Sequence, residues 1–207
     1  MLKVYGRANS INVRKVLWML DEVGEAYTRA DWGRGYRPTS EPEFRAVSAF
    51  GVVPVIDDAG FVLRESQSIV RYLASKHGRA DLYPTDIKQR ARVEAWMDWV
   101  STDLYGAARP VFHAMIVNAP DPLKATAPAD AVAAWTAHMT RLDRQLANDG
   151  PFLMGGHFTV ADIPAGMVVN RWFTLPITRP GLPAVAAYYD RLAERLPYRT
   201  HGRNGTP

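Results

Sequence analysis

The hydrophobic pattern of the chain changes at Pro84. Before this residue, short apolar runs with strand character alternate with helical periods, and after it only helical periods remain. Such a change predicts an α/β unit followed by an all-α unit. A chain of 207 residues is long enough for two domains. We place them at residues 1–79 and 86–207, with a linker between them.

The first part is predicted to fold as β-α-β-α-β-β-α around a mixed four-stranded sheet. Its first helix follows from the apolar spacing of four residues, which are Val13, Val16, Leu17 and Leu20. Gly24 and Gly78 mark the ends of two helices. The expected strands are residues 2–5, 25–30, 52–56 and 61–63, and a short helix is expected at 42–47.

The second part is predicted to contain helices only. A long helix is expected from about residue 87 to residue 113. Pro110 should kink its last turns, because proline removes one backbone hydrogen bond. A second helix carries apolar residues from Val132 to Leu146, a third begins at Thr159, and a fourth includes Val185 to Leu192.

Thr159 and Asp162 have the spacing of a capping box, in which a hydroxyl and a carboxylate satisfy the free N–H groups at a helix start. Phe158 and Ile163 stand at the positions of a hydrophobic staple. We interpret this motif as structural.

The absence of cysteine excludes several kinds of chemistry. A disulfide framework, a thiolate metal site and a cysteine nucleophile are all ruled out. No metal-binding pattern is found among the histidines, so no metal is expected. The formal net charge of +4 comes from scattered residues, which gives no support for a nucleic-acid or membrane surface. The sequence has no signal-like or membrane-spanning run, and a cytoplasmic location is expected.

Three short segments of the first part could carry chemistry. Ser10 and Asn12 precede the first helix, where a side chain either caps the helix or helps to bind an anion, and these residues alone favour the cap. Val53-Pro54 is either an ordinary edge proline or a cis bond that turns the Val53 backbone toward a peptide-like ligand. Glu65-Ser66 could hold an ammonium and a carboxylate, although capping again explains a serine at this position.

The chain resembles the cytosolic glutathione transferase family, and in particular its theta-like bacterial members of the serine type. The motifs that carry the resemblance span nearly the whole chain, and their order and spacing are specific. They are the segments 10–16, 51–55, 65–69, 158–163 and 179–183. The resemblance implies a thioredoxin-like first domain, an all-helical second domain and a homodimer active in detoxification.

The resemblance also implies roles for individual residues. Glutathione, as co-substrate, would meet the backbone of Val53, with Pro54 in the cis form, while Glu65 and Ser66 would hold its γ-glutamyl end. Thr39 and Arg37 would hold its glycine carboxylate. The second substrate, a small hydrophobic electrophile, would bind against four residues of the long helix, which are Tyr105, Arg109, Phe112 and His113.

Family members activate the thiol of glutathione with a tyrosine, serine or cysteine near the first helix. Cysteine is absent and Tyr5 lies within a strand, so the resemblance implies that Ser10 is catalytic, with Asn12 as the alternative. Two positions depart from the family pattern. Val52 replaces a lysine or glutamine, and no basic residue stands at Thr39. These departures predict either compensation by Arg37 or Arg64 or a modest affinity for glutathione.

The main functional hypothesis is a glutathione transferase. One alternative is a glutathione-dependent disulfide reductase or peroxidase that uses Asn12 or Ser10. Another is a non-catalytic carrier or regulator with the same fold. The presence of both Val53-Pro54 and Glu65-Ser66 favours the enzyme over the carrier.

Overall fold

The computed structural model describes residues 1–119, 121 and 125–207. A mixed sheet has the strand order β2-β1-β3-β4. The central strand β1 pairs in parallel with β2 and antiparallel with β3, which forms a hairpin with β4. The strands are β1 Leu2–Tyr5, β2 Tyr27–Ala30, β3 Val55–Asp58 and β4 Phe61–Arg64. The mixed four-stranded sheet expected from the sequence is therefore confirmed.

Helices connect the strands and then make up the second part. Three helices belong to the first part: α1 Ile11–Val23, α2 Pro42–Val47 and α3 Ser66–Lys76. The described residues after Asp86 contain six more α-helices: α4 Ile87–Trp99, α5 Tyr105–Phe112, α6 Ala129–Asp149, α7 Asp162–Thr174, α8 Pro183–Leu192 and α9 Leu196–His201. The fold class, an α/β unit followed by a helical unit, agrees with the sequence pattern.

Several elements differ from the expected ones, either in their bounds or because they were not predicted. Strand β3 begins at Val55 rather than at residue 52, and Pro54 has no N–H to offer to the sheet. Helix α7 begins at Asp162, because Thr159 and the residues after it form a turn in which the Asp162 amide donates to the Thr159 carbonyl. Helix α9, six residues long, was not predicted.

The long helix reaches beyond its predicted end and contains two π-helical segments. The first, Val100–Leu104, joins α4 to α5, and the second, His113–Val117, follows α5. Pro110 lies inside α5, where it removes one backbone donor. A π-helical turn shifts the hydrogen-bond register by one residue and is often found near functional sites.

Helix α1 lies between the two parts of the molecule. It packs against α3 on one side and against α7 and α9 on the other. Trp18 of α1 is fully buried, with its ring centroid 4.6 Å from that of Tyr198 in α9. Both parts therefore share one continuous core, and the N-terminus of α1 lies at the border between them.

Two charged side chains of α1 bind the C-terminal part of the chain. The buried guanidinium of Arg14 donates to carbonyls of His201 (2.5 Å) and Gly202 (2.6 Å), and to that of Thr206 (3.0 Å). Glu22 accepts two hydrogen bonds from Arg195, at 2.8 and 2.5 Å. These contacts hold residues 195–207 against the helix that carries the candidate site.

Candidate functional site

The loop between β1 and α1 packs tightly against the segment that precedes β3. Gly6 has a φ of +148°, and a Cβ atom at this position would lie 2.5 Å from Val13 Cγ2 and 3.1 Å from Val53 Cβ. Only glycine allows so close an approach. The loop therefore brings the start of α1 beside Val53, two segments that the sequence analysis had linked only by resemblance.

Ser10 occupies the N-cap position of α1 by its backbone but not by its side chain. Its carbonyl accepts from the Arg14 amide at 2.9 Å, whereas its hydroxyl makes no capping hydrogen bond. The side chain is buried, with 8% of its surface exposed. The first N–H groups of a helix have no partner within the helix, and they favour negative charge. The capping interpretation is therefore wrong for this hydroxyl, which is free to bind a ligand.

Asn12 and Lys15 form a polar pair on the next turn. Lys15 Nζ donates to Asn12 Oδ1 at 2.9 Å and lies 5.5 Å from the ring centroid of Tyr105. The lysine is 4% exposed, and burial lowers its pKa to about 7, with a further lowering from Arg171 and an opposing effect of Glu65.

Sequence reasoning assigned no role to Lys15. Its position carries a signal nevertheless, because it lies four residues after Ile11 and three before Trp18. Both neighbours are buried, so this spacing places the lysine on a buried face of the helix.

The Val53–Pro54 peptide bond is cis, as the resemblance implies. Within the described chain, no backbone hydrogen bond uses the amide or the carbonyl of Val53. Both groups are therefore available to an extended ligand. Val52, the position at which the family pattern is broken, is 50% exposed.

Glu65 has a left-handed backbone conformation, with φ at +69° and ψ at +110°. This region is unfavourable for a residue other than glycine, and such residues concentrate at ligand sites. Ser66, which is buried, is the first residue of α3, and no side chain caps this helix. The Glu65 carboxylate accepts from Arg64 Nη1 at 2.8 Å. The pair thus presents a carboxylate beside the free N–H groups of a helix start.

A cavity of about 360 Å³ lies beside these segments, although Ser10, Val53 and Pro54 are not among its lining residues. It lies among α1, α3 and the long helix, and it brings together four of the residues singled out from the sequence. The lining residues are Asn12, Lys15, Glu65, Ser66, Gln67, Ser68, Arg71, Asp98, Ser101 and Tyr105.

Arg37 and Thr39 lie outside this cavity, in the segment between β2 and α2. The Arg37 guanidinium is 3.9 Å from the ring centroid of Trp32 and pairs with Glu41 at 2.7 Å and Glu43 at 2.5 Å. These two hydrogen bonds raise the pKa of Arg37. Because two carboxylates already neutralise it, Arg37 is a weaker candidate for a ligand carboxylate than the sequence indicated.

The four residues proposed for the second substrate lie on α5 and at the start of the following π-helical segment. Tyr105, Phe112 and His113 are half-buried, and Arg109 is exposed. Arg171 of α7, which sequence reasoning missed, lies across from them with its Cζ 3.6 Å from the Phe112 ring centroid. Burial lowers the pKa of His113, and nearby arginines lower it further.

Metal-binding groups and membrane-spanning helices are both absent from the described part of the chain. No group of three or more histidine, aspartate or glutamate side chains there could hold a metal ion. No helix within residues 1–119 and 125–207 is long and apolar enough to span a bilayer.

Comparison with known proteins identifies the family. Residues 4–81 match the model of the glutathione S-transferase N-terminal domain, and residues 110–191 match that of the C-terminal domain. The chain is 32% identical to glutathione S-transferase GstB of Escherichia coli over 94% of each sequence. It is also 29% identical to glutathione S-transferase 3 of Zea mays over 94% of this chain and 90% of the relative.

Solved structures agree with the sequence relatives. The theta class glutathione S-transferase of Xanthomonas axonopodis pv. citri, with glutathione bound, superposes with a TM-score of 0.86 at 38% identity. The match covers 97% of this chain and 96% of that structure. The chain therefore belongs to the glutathione S-transferase family.

Proposed function

We propose that this glutathione transferase uses Ser10 to stabilise the thiolate of glutathione for attack on a hydrophobic electrophile. The observation that carries the proposal is the hydroxyl of the buried Ser10, which makes no capping hydrogen bond at the N-terminus of α1. Gly6, four residues earlier, lies against both Val13 of α1 and Val53, whose backbone groups form no backbone hydrogen bond within the described residues.

Glutathione, which is bound in the structure of the Xanthomonas relative, would bind along the first domain. The amide and carbonyl of Val53 would pair with its cysteinyl backbone. Glu65 would hold the γ-glutamyl ammonium, and Ser66 with the free N–H groups of α3 would hold the carboxylate. Thr39 would bind the glycine carboxylate of glutathione. Arg37 would contribute to this binding only if its ion pair with Glu41 or with Glu43 broke.

The energies required are within reach of these groups. A thiol with a pKa of about 8.5 is only about 3% ionised at pH 7. A shift of about two units, worth about 2.7 kcal/mol, raises the ionised fraction to about 75%. One hydrogen bond to a charged sulfur contributes about 1.5–3 kcal/mol, and a helix N-terminus about 0.3–1 kcal/mol. Ser10 and α1 together are therefore sufficient without a general base.

In the reaction, the thiol proton passes to solvent. The thiolate then forms a carbon–sulfur bond with the electrophile. A halide, where present, leaves with the electrons of its own bond, whereas an activated alkene takes up a proton at the adjacent carbon. The electrophile would lie against Tyr105, Phe112 and His113 on the helical side, with Arg109 at the edge.

Asn12 provides the second candidate for contact with the sulfur. Its Oδ1 accepts from Lys15, so its amide NH₂ group is left to donate. If the amide rather than the hydroxyl orients the sulfur, a glutathione-dependent disulfide reductase or peroxidase becomes the better description of the activity.

We also propose that the protein is a homodimer in the cytoplasm. Two exposed apolar side chains, Phe50 and Val62, line a common depression beside Arg64 on the first domain. Exposed apolar groups gathered in one place favour an interface.

Isothermal titration calorimetry with reduced glutathione tests the proposal. Binding is expected, followed by turnover of an aryl halide in a panel that also contains a peroxide and a disulfide. If no heat of binding is measured at millimolar glutathione, both the transferase and the reductase hypotheses are wrong.

A further inference from the structure

Arg171 is a buried cation with unused hydrogen-bond donors. The residue is 3% exposed and has a side-chain hydrogen bond with Tyr105, but neither its Nε nor its Nη1 has a partner among the described residues. Leaving a charged group unpaired in the interior is costly, and the cost disappears when an anion binds. The unpaired donors of Arg171, which lies against Phe112, therefore indicate an anion as the missing partner.

Further cations lie near Arg171 and His113 in both domains. Arg7 and Arg34 of the first domain and Arg109 of the second each act electrostatically on Arg171 or on His113. Within residues 1–119, 121 and 125–207, none of these four guanidinium groups forms an ion pair with a carboxylate. The guanidinium groups around Arg171 therefore have no carboxylate partner within the described residues.

Lys15 is a further buried basic group beside the same aromatic rings. Its Nζ lies 5.5 Å from the ring centroid of Tyr105, and Arg171 Cζ lies 5.8 Å from the same centroid. Arg171 also lies 3.6 Å from the ring centroid of Phe112. Lys15 and Arg171 thus lie beside the aromatic rings that are proposed to hold the electrophile.

Glutathione does not account for this charge. Its two carboxylates are assigned to Ser66 and Thr39 and its sulfur to Ser10, all on the first domain, whereas Arg171 and Phe112 belong to the second. The remaining ligand is the second substrate. A guanidinium favours carboxylates and related oxyanions, and aromatic rings favour a flat apolar body.

We infer that the electrophile is an aromatic anion, whose carboxylate or sulfonate binds Arg171 while its ring packs against Phe112 and Tyr105. This inference rests on the proposed function and specifies its substrate class. The reaction keeps the balance described above: the carbon–sulfur bond forms, the halide leaves with its electron pair, and the anionic group is unchanged.

The test compares a chlorodinitrobenzoate with the corresponding benzamide, which differ in charge but hardly in shape. The wild-type enzyme is expected to favour the benzoate in kcat/KM. R171Q should lower kcat/KM for the benzoate by about 10- to 100-fold and for the benzamide by less than about 3-fold. R144Q, which removes an exposed charge from α6, should change neither value.

Equal losses for both electrophiles in R171Q would overturn the inference, since Arg171 would then act on the thiolate or on the fold. R171M, which replaces the cation by an apolar side chain of similar length, checks the fold independently. Thermal shifts supply a readout without turnover: the benzoate conjugate of glutathione should stabilise the wild type more than the benzamide conjugate does. If neither electrophile reacts and glutathione does not bind, the proposed function fails instead.

Discussion

The hydroxyl of Ser10 and the amide of Asn12 are two donors at the start of one helix, and their roles can be separated. S10A is expected to raise the pKa of the bound thiol by about two units and to lower kcat about 10- to 100-fold at pH 7. The thiolate absorbance of bound glutathione, titrated against pH, measures the shift.

N12A serves as the comparison for this experiment. It removes the acceptor of Lys15 but leaves the Ser10 hydroxyl in place, and we expect a smaller change in the thiol pKa. If the pKa of the bound thiol is unchanged in S10A but strongly raised in N12A, then Asn12 rather than Ser10 contacts the sulfur of glutathione.

Lys15 makes stability depend on pH. Burial lowers its pKa from 10.5 to about 7, so between these values the unfolded chain carries a proton that the folded chain has lost. Stability therefore rises with pH across this interval, and below about pH 7 the folded state bears the full cost of the buried charge. K15M should raise the free energy of unfolding at pH 6 by about 1–4 kcal/mol, and less at pH 9.5.

Urea denaturation at both pH values measures this difference. K88M, which replaces an exposed lysine of α4, is the matched control and should change stability little at either pH. A gain for K15M that is the same at pH 6 and pH 9.5 would show that Lys15 is not the titrating group.

At the residue scale, the sequence predicts best those residues whose neighbours in the chain are also their neighbours in space. Glu65 and Ser66 are adjacent and share one loop, so their chemistry was visible. Arg171 was missed because its partners, Tyr105 and Phe112, lie about sixty residues earlier, and no local pattern relates them. Lys15 was missed because charge on a helix is usually exposed.

At the scale of secondary-structure elements, the start of helix α7 is stabilised by one buried carboxylate. Asp162 accepts from the Thr159 amide at 2.8 Å, the Leu153 amide at 3.0 Å and the Tyr188 hydroxyl at 3.0 Å. We expect D162A to lower the free energy of unfolding by about 3–5 kcal/mol, because buried donors lose a charged acceptor.

Chemical denaturation of D162A measures this loss, with D130A as its control. Asp130 lies in the first turn of α6 and is exposed, so its removal should cost about 0.3–1 kcal/mol through the helix dipole. If both variants lose similar amounts of unfolding free energy, Asp162 contributes no more than any acidic residue in the first turn of a helix.

Helices and strands were predictable where hydrophobic spacing runs over several turns. The face of α6 from Val132 to Leu146 shows this, and the helix lies where it was expected. The π-helical segment Val100–Leu104 could not be predicted, since a shift of one residue leaves the apolar spacing almost unchanged. The interaction of Asp162 with Thr159 was foreseen from their spacing, but the turn that moves the start of α7 was not.

At the scale of the whole molecule, the proposed dimer gives a prediction about Phe50. Its side chain is 63% exposed and lies against Arg64, whose Cζ is 3.7 Å from the ring centroid. F50E should weaken self-association at least about 10-fold, because a charge would be buried in an apolar contact. Sedimentation velocity over a range of concentrations measures the change.

L196E is the control for this experiment. Leu196 is 64% exposed at the start of α9, on the helical part of the molecule, and its replacement should leave association unchanged. A wild-type protein that sediments as a monomer at micromolar concentration would contradict the homodimer.

The division into two differently built parts was the most predictable property of the whole chain, because it follows from hydrophobic periodicity on either side of Pro84. The contacts between the parts were not predictable. Glu22 and Arg195 are separated by 173 residues, and only the folded chain brings them together.

The hydrogen bonds of Arg14 have a consequence for synthesis on the ribosome. Their acceptors lie 187 to 193 residues further along the chain, so they leave the ribosome long after the helix that carries Arg14. Until then the nascent first domain carries an arginine without these acceptors for its buried position. Helix α1, which begins the proposed glutathione site, thus receives these contacts only when residues 201–207 leave the exit tunnel.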